Sequence, residues 1–133
     1  MPLSRKGFTL IELLVVISII ALLSTIVMTS VNGQRSRAKD VSFQSTANAV
    51  QQSAGICCTG GDATLLNVLG DNICDPASDG TYPTGANLGS VSIDRDCGDV
   101  LGFSVRLEPG TSNDGTIDYA LCDHDGCEFI PKT

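Results

Sequence analysis

The sequence has a single histidine, His124, no glycine-rich phosphate loop and no C-x-x-C pair, and each gap closes off a class of chemistry. No Ser/His/Asp or Cys/His grouping is recognisable around this one histidine, so the chain is not expected to be an enzyme. A zinc site would need a second histidine or paired cysteines at ligand spacing, and catalytic thiols would need a helix-borne redox motif. Charge is missing as well: from Phe8 to Val31 the only formally charged side chain is Glu12. Cysteine is absent from the whole first third of the chain and begins only at Cys57.

What stands in that uncharged stretch is an apolar run long enough to cross a bilayer as one helix, since the hydrocarbon core needs about 20 such residues. Arg5 and Lys6 precede it. Under the positive-inside rule they stay in the cytoplasm, which predicts a single-pass inner-membrane chain with its N-terminus in and its C-terminus out. A secretory signal peptide fits poorly, because its apolar region is about 7–15 residues long and ends at a small-residue cleavage site. Ala21-Leu22-Leu23-Ser24-Thr25 offers no such site. An ordinary signal anchor fits better but leaves Glu12 unexplained, as a carboxylate in hydrocarbon costs about 2.5–3.5 kcal/mol near a helix centre.

Gly7-Phe8-Thr9-Leu10-Ile11-Glu12, behind its basic leader, closely resembles the class III leader of type IV prepilins and of type II secretion pseudopilins. The resemblance implies cleavage between Gly7 and Phe8 by prepilin peptidase, a membrane aspartyl peptidase, and methylation of the new Phe8 amine. It also implies that Glu12 meets the Phe8 amine of a neighbouring subunit. The residues agree with this independently. Glycine at position 7 leaves the scissile backbone unhindered and breaks the helix where cutting is wanted. A lone monomer carries an uncompensated acid, which pairing between subunits neutralises. The best-known type IV pilins place a proline and a glycine in this helix, whereas here neither occurs between Phe8 and Asn32.

Beyond the span, Phe43, Ala47, Val50 and Ala54 recur at spacings of four, three and four, one apolar stripe on an amphipathic helix. Asn32-Gly33 interrupts the pattern with a residue that costs about 1 kcal/mol in a helix, so a kink is expected there. The predicted organisation is a leader over residues 1–7, a helix over 8–54 capped by Gly55, and a head over 55–133.

The head is strongly acidic, with thirteen Asp and Glu against Arg95, Arg106 and Lys132. Such a surface is a poor partner for nucleic acid. It also holds all six cysteines: Cys57, Cys58, Cys74, Cys97, Cys122 and Cys127. A core this small on the oxidising side of a membrane calls for disulfides. Adjacent Cys57 and Cys58 are not expected to bond each other; the expectation is Cys122 with Cys127, and Cys57 and Cys58 each with Cys74 or Cys97. Whether the loop 123–126 sets Cys122 directly opposite Cys127 depends on its turn type and stays open.

Cys57 to Leu88 reads as a long loop, with Tyr82-Pro83-Thr84-Gly85 as a turn; the Tyr-Pro-Thr triplet also resembles one common in pilins. Phe103, Val105 and Leu107 alternate with Ser104, Arg106 and Glu108, Ile117, Tyr119 and Leu121 alternate with Asp118 and Ala120, and Cys127 to Ile130 follows as a third strand. The runs Asp94-x-Asp96-x-x-Asp99, Asn113-Asp114-Gly115 and Asp123-x-Asp125 offer oxygen ligands for calcium, a known feature of major pseudopilins, although none has EF-hand spacing.

The fold expected is therefore α+β and pilin-like: a long N-terminal helix, transmembrane in its first half, and a small disulfide-stabilised antiparallel head. The function expected is a structural subunit of a type IV pilus-like filament, extracellular once assembled, with prepilin peptidase, an inner-membrane assembly platform, membrane lipid and further copies of itself as partners. A type II secretion or competence pseudopilin of a periplasmic filament is the alternative within the family. A single-pass anchored binding module is the alternative outside it.

Overall fold

The computed structural model describes residues 7–60, 63–76, 80–85, 87–111 and 113–133, without the side chains of Thr29, Ser30 and Asn32. The leader residues Arg5 and Lys6 lie outside the described residues. The chain divides into two compact units, Met1–Arg35 and Ser36–Thr133. Helix α1, Leu10–Cys58, contributes to both. It runs on through Asn32-Gly33 as helix.

In the first unit no side chain of the apolar run is buried, and the large residues stand exposed on every side of the helix. The hydroxyls of this segment turn back onto their own helix, Ser24 Oγ donating to the Ile20 carbonyl at 2.8 Å and Thr25 Oγ1 to that of Leu22 at 2.7 Å. These two hydroxyls are thereby satisfied without water, as a hydrocarbon environment demands.

In the second unit the stripe Phe43, Ala47, Val50 and Ala54 is buried, and Cys57 extends it by one further turn. It packs into one core with Leu88, Phe103, Val105, Leu107, Ala120 and Cys122. Phe43 meets Phe129 edge to face, ring centroids 6.4 Å apart. The sheet is a four-stranded antiparallel meander of β3 (Ser90–Arg95), β4 (Ser104–Glu108), β5 (Ile117–Asp123) and β6 (Cys127–Pro131). A small ladder of β1 (Thr64–Leu65) with β2 (Cys74–Asp75) precedes it.

Three expectations are corrected. The helix does not end at Gly55 but runs to Cys58, and the boundary at 54/55 moves with it. Its last turn closes through Thr59 N–H to the Gly55 carbonyl at 3.2 Å and Gly60 N–H to that of Cys57 at 3.3 Å. The disulfides hold that turn in place, and a Cβ on Gly55 would sit at 3.9 Å from Phe103, so this glycine lies against the core wall. Second, the segment read as loop is partly ordered: Ile73, Cys74, Tyr82 and Leu88 are core residues, and β3 was not foreseen at all.

The third correction concerns which face of β5 is buried. Ile117, Tyr119 and Leu121 share one parity in the sequence, yet the buried residues are Ile117, Ala120 and Cys122. The register against β6 shifts between Ile117 and Tyr119. One extra residue in a strand exchanges the two faces from that point on. Tyr119 lands on the opposite face, its ring under the Arg106 guanidinium at 3.9 Å.

Candidate functional site

Gly7 and Phe8 precede the first helical residue, and nothing lies within 4 Å of where a Gly7 Cβ would be. Phe8 is 83 % exposed. The peptide joining them is therefore uncrowded by the chain's own fold. Thr9 is the N-cap: its carbonyl accepts the first helical bond from Leu13 N–H, at 3.3 Å. Glu12 Oε2 accepts hydrogen bonds from Thr9 N–H and Thr9 Oγ1, both at 2.9 Å, and Thr9 Oγ1 accepts from Glu12 N–H at 3.4 Å.

This is a capping box, in which an N-cap hydroxyl and the carboxylate three residues later satisfy each other's backbone N–H. The box satisfies hydrogen bonds of the Glu12 carboxylate without supplying a counter-charge. Glu12 holds two hydrogen bonds within its own chain, though among the described residues no cation faces it. The signal was present as Thr9-x-x-Glu12 at the head of an apolar run.

The six cysteines form Cys57–Cys74, Cys58–Cys97 and Cys122–Cys127. Cys122 and Cys127 are direct partners across β5 and β6, so the loop between them is the register-keeping one. Two of the bridges fasten the last turn of α1, one to β2 and one to the segment after β3.

Several of the carboxylates considered for calcium accept from the chain's own backbone. Asp96 Oδ1 accepts from Leu65 N–H at 2.8 Å and Cys97 N–H at 2.7 Å. Asp99 Oδ1 accepts from Leu101 N–H at 3.1 Å, and Asp94 stands exposed on β3. These three do not converge. Asn113 Oδ1 takes Gly115 N–H at 3.0 Å, and the Lys39 ammonium reaches Asp114 Oδ2 at 2.8 Å, supplying the cation there. That hydrogen bond and charge hold the Asp114 carboxyl below the usual carboxylate range. Among the described residues only Asp123, His124 and Asp125 bring three ligand atoms together, within 4.8 Å. Asp123 Oδ1 already accepts from Asp125 N–H at 2.9 Å and Gly126 N–H at 3.2 Å. Two carboxylates and an imidazole are also a poor match to the six to eight oxygens calcium prefers.

A contact that sequence reasoning missed joins the helix to the loop before β5. Asp40 Oδ1 accepts from Thr116 N–H at 2.8 Å and Ile117 N–H at 3.3 Å, and Asp40 Oδ2 from Thr116 Oγ1 at 2.8 Å. Its signal would have been an acid on the polar edge of the buried stripe.

No curated protein and no solved structure matches the chain. Residues 3–28 match the family model described as the prokaryotic N-terminal methylation motif. That stretch holds Gly7, Phe8, Thr9 and Glu12 together with most of the exposed apolar helix, and over it the chain carries the class III signal of type IV pilins and pseudopilins.

Proposed function

We propose that this chain is a structural subunit of a type IV pilus-like filament, cleaved between Gly7 and Phe8 by prepilin peptidase, methylated at Phe8 and polymerised through its apolar helix. One observation carries the reading. The helix is apolar all round and unburied from Leu10 to Val27, with Glu12 as its only carboxylate and an uncrowded Gly7-Phe8 peptide beside it. A helix of that kind requires lipid at one stage and other helices at another. The methylation motif over residues 3–28 supports the same conclusion.

Orientation in the membrane rests on the head rather than on charge. Arg35, Arg37 and Lys39 follow the span and oppose the pull of Arg5 and Lys6. Three disulfides in a head of this size favour the oxidising side. A type II secretion or competence pseudopilin is the second reading, favoured by the lack of proline and glycine between Phe8 and Asn32. An anchored binding module would keep its leader. Intact-mass measurement of protein from cells tests the proposal: a chain starting at methylated Phe8 is expected, and residues 1–7 retained in assembled material would overturn it. Shearing then separates the two filament readings, since surface fibres come free and a pseudopilus does not.

A further inference from the structure

The three disulfides differ in how a nucleophile can reach them. Cys57–Cys74 is sealed in the core, its residues 3 % and 2 % exposed. Cys122–Cys127 has one residue buried and the other beside a depression lined by Asp123, Asp125 and Glu128 against a single cation, Arg95. Both half-buried residues of Cys58–Cys97 line an open groove of about 680 Å³ between the last turns of α1 and the start of β4. Gln51, Gln52, Ile56, Phe103 and His124 form much of its wall, and among the described residues no carboxylate lines it. Asp96, the chain neighbour of Cys97, has its Oδ1 held by the Leu65 and Cys97 N–H groups.

The structure assigns Cys58–Cys97 as the bridge through which this head exchanges disulfides with a dithiol oxidoreductase of the oxidising compartment. The attacking species in such exchange is a thiolate, an anion. On a head with thirteen acids against three bases, most approaches are electrostatically closed to it. Three carboxylates against one guanidinium around Cys127 leave a net negative setting that repels the thiolate, whereas among the described residues the groove at Cys58–Cys97 carries no carboxylate to do so.

The step is balanced without further reagents. A thiolate of the dithiol attacks one Sγ of the bridge, the S–S bond breaks, and the electron pair leaves on the other Sγ, which takes a proton from water. The second thiol of the reductant then attacks the mixed disulfide. The head is left with two thiols at Cys58 and Cys97, and the oxidoreductase with its own disulfide; bridge formation is the reverse. Adjacent Cys57 and Cys58 give the traffic a purpose, because they can exchange partners during folding, and correction requires one bridge that opens while the others hold.

The test uses the full chain in detergent micelles, treated in parallel with cysteamine (cationic), 2-mercaptoethanol (neutral) and mercaptoethanesulfonate (anionic), then alkylated and mapped by mass spectrometry. Cys58 and Cys97 should be labelled first with all three thiols, at least ~10-fold ahead of Cys122 and Cys127 with the anionic one. High salt should narrow that gap by speeding the reaction at Cys127. A dithiol oxidoreductase of thioredoxin type, its resolving cysteine replaced by serine, should be trapped on Cys58 or Cys97. First labelling at either other bridge, simultaneous opening of all three, or trapping at Cys127 would overturn the assignment.

Discussion

Glu12 has two possible partners, and the balance between them is what a substitution at this position reads. In the single chain its carboxylate serves Thr9 N–H and Thr9 Oγ1. In a filament it is proposed to face a neighbour's Phe8 amine. Glu12→Ala should leave membrane insertion and cleavage intact, because the span becomes more apolar and Gly7 is untouched. It should fray the first helical turn, because Thr9 N–H loses the carboxylate that closes the capping box. Fibre yield should fall far more steeply, since an unpaired amine then enters an apolar core. Glu12→Gln keeps the acceptor for Thr9 and should rescue the cap but only part of the assembly. Counting fibres from both variants decides the matter, and normal numbers from the alanine variant would remove the pairing role. Tyr82 offers a contrasting case, a core residue 1 % exposed whose Oη makes no hydrogen bond among the described residues. Burial pushes its phenol up to about 12. A raised pKa means stability fully present below the ordinary tyrosine value and lost as pH climbs from about 10 toward 12. Tyr82→Phe should remove that alkaline loss and leave neutral-pH stability unchanged or higher by about 1–3 kcal/mol, the cost of an unsatisfied buried group. Denaturation at neutral and alkaline pH measures both.

At the scale of elements, legibility followed the distance over which a signal acts. The stripe Phe43, Ala47, Val50 and Ala54 is a local periodicity, and it is buried as a stripe. The stop at Gly55 failed because a glycine C-cap is only a propensity, and here two disulfides and contact with the sheet carry the helix on to Cys58. Strand β3 was overlooked although Val91 and Ile93 alternate with Ser90, Ser92 and Asp94; its pairing with β4 supplies the backbone partners that a loop would lack. The parity of β5 could not be read, since a bulge belongs to a pair of strands and leaves no mark in one. Thr9-x-x-Glu12 was legible and was passed over in favour of the resemblance. The bridges yield an ordering that depends only on the loops they close, of 5, 17 and 39 residues by sequence separation. Chain-entropy reasoning gives about 2 kcal/mol for Cys122–Cys127, about 3 for Cys57–Cys74 and about 4 for Cys58–Cys97. Paired cysteine-to-alanine variants unfolded in denaturant should follow that order. An inverted order would mean that packing at the buried Cys122, not loop closure, dominates.

At the scale of the molecule, the division at Arg35/Ser36 separates two unlike solubility problems. The first unit exposes apolar side chains on all sides and has no core of its own. The second contains the whole buried cluster, all three disulfides, and the Asp40 and Lys39 contacts that tie α1 to the loop before β5. Among the described residues the buried cluster and all three disulfides lie after Ser36. A chain starting at Ser36 should be soluble without detergent and monomeric, with the same three disulfides, because its surface is acidic and its apolar stripe is already covered by the sheet. The helix end left at Ser36 has lost its preceding turns, so its first residues should fray, but Lys39 and Asp40 anchor the turn that follows. Gel filtration gives the association state, and peptide mapping without reduction gives the bridges. The full mature chain should require lipid or detergent under the same conditions and should recover solubility only by assembling. Aggregation or scrambled bridges in the chain starting at Ser36 would show that the apolar segment helps the head to fold.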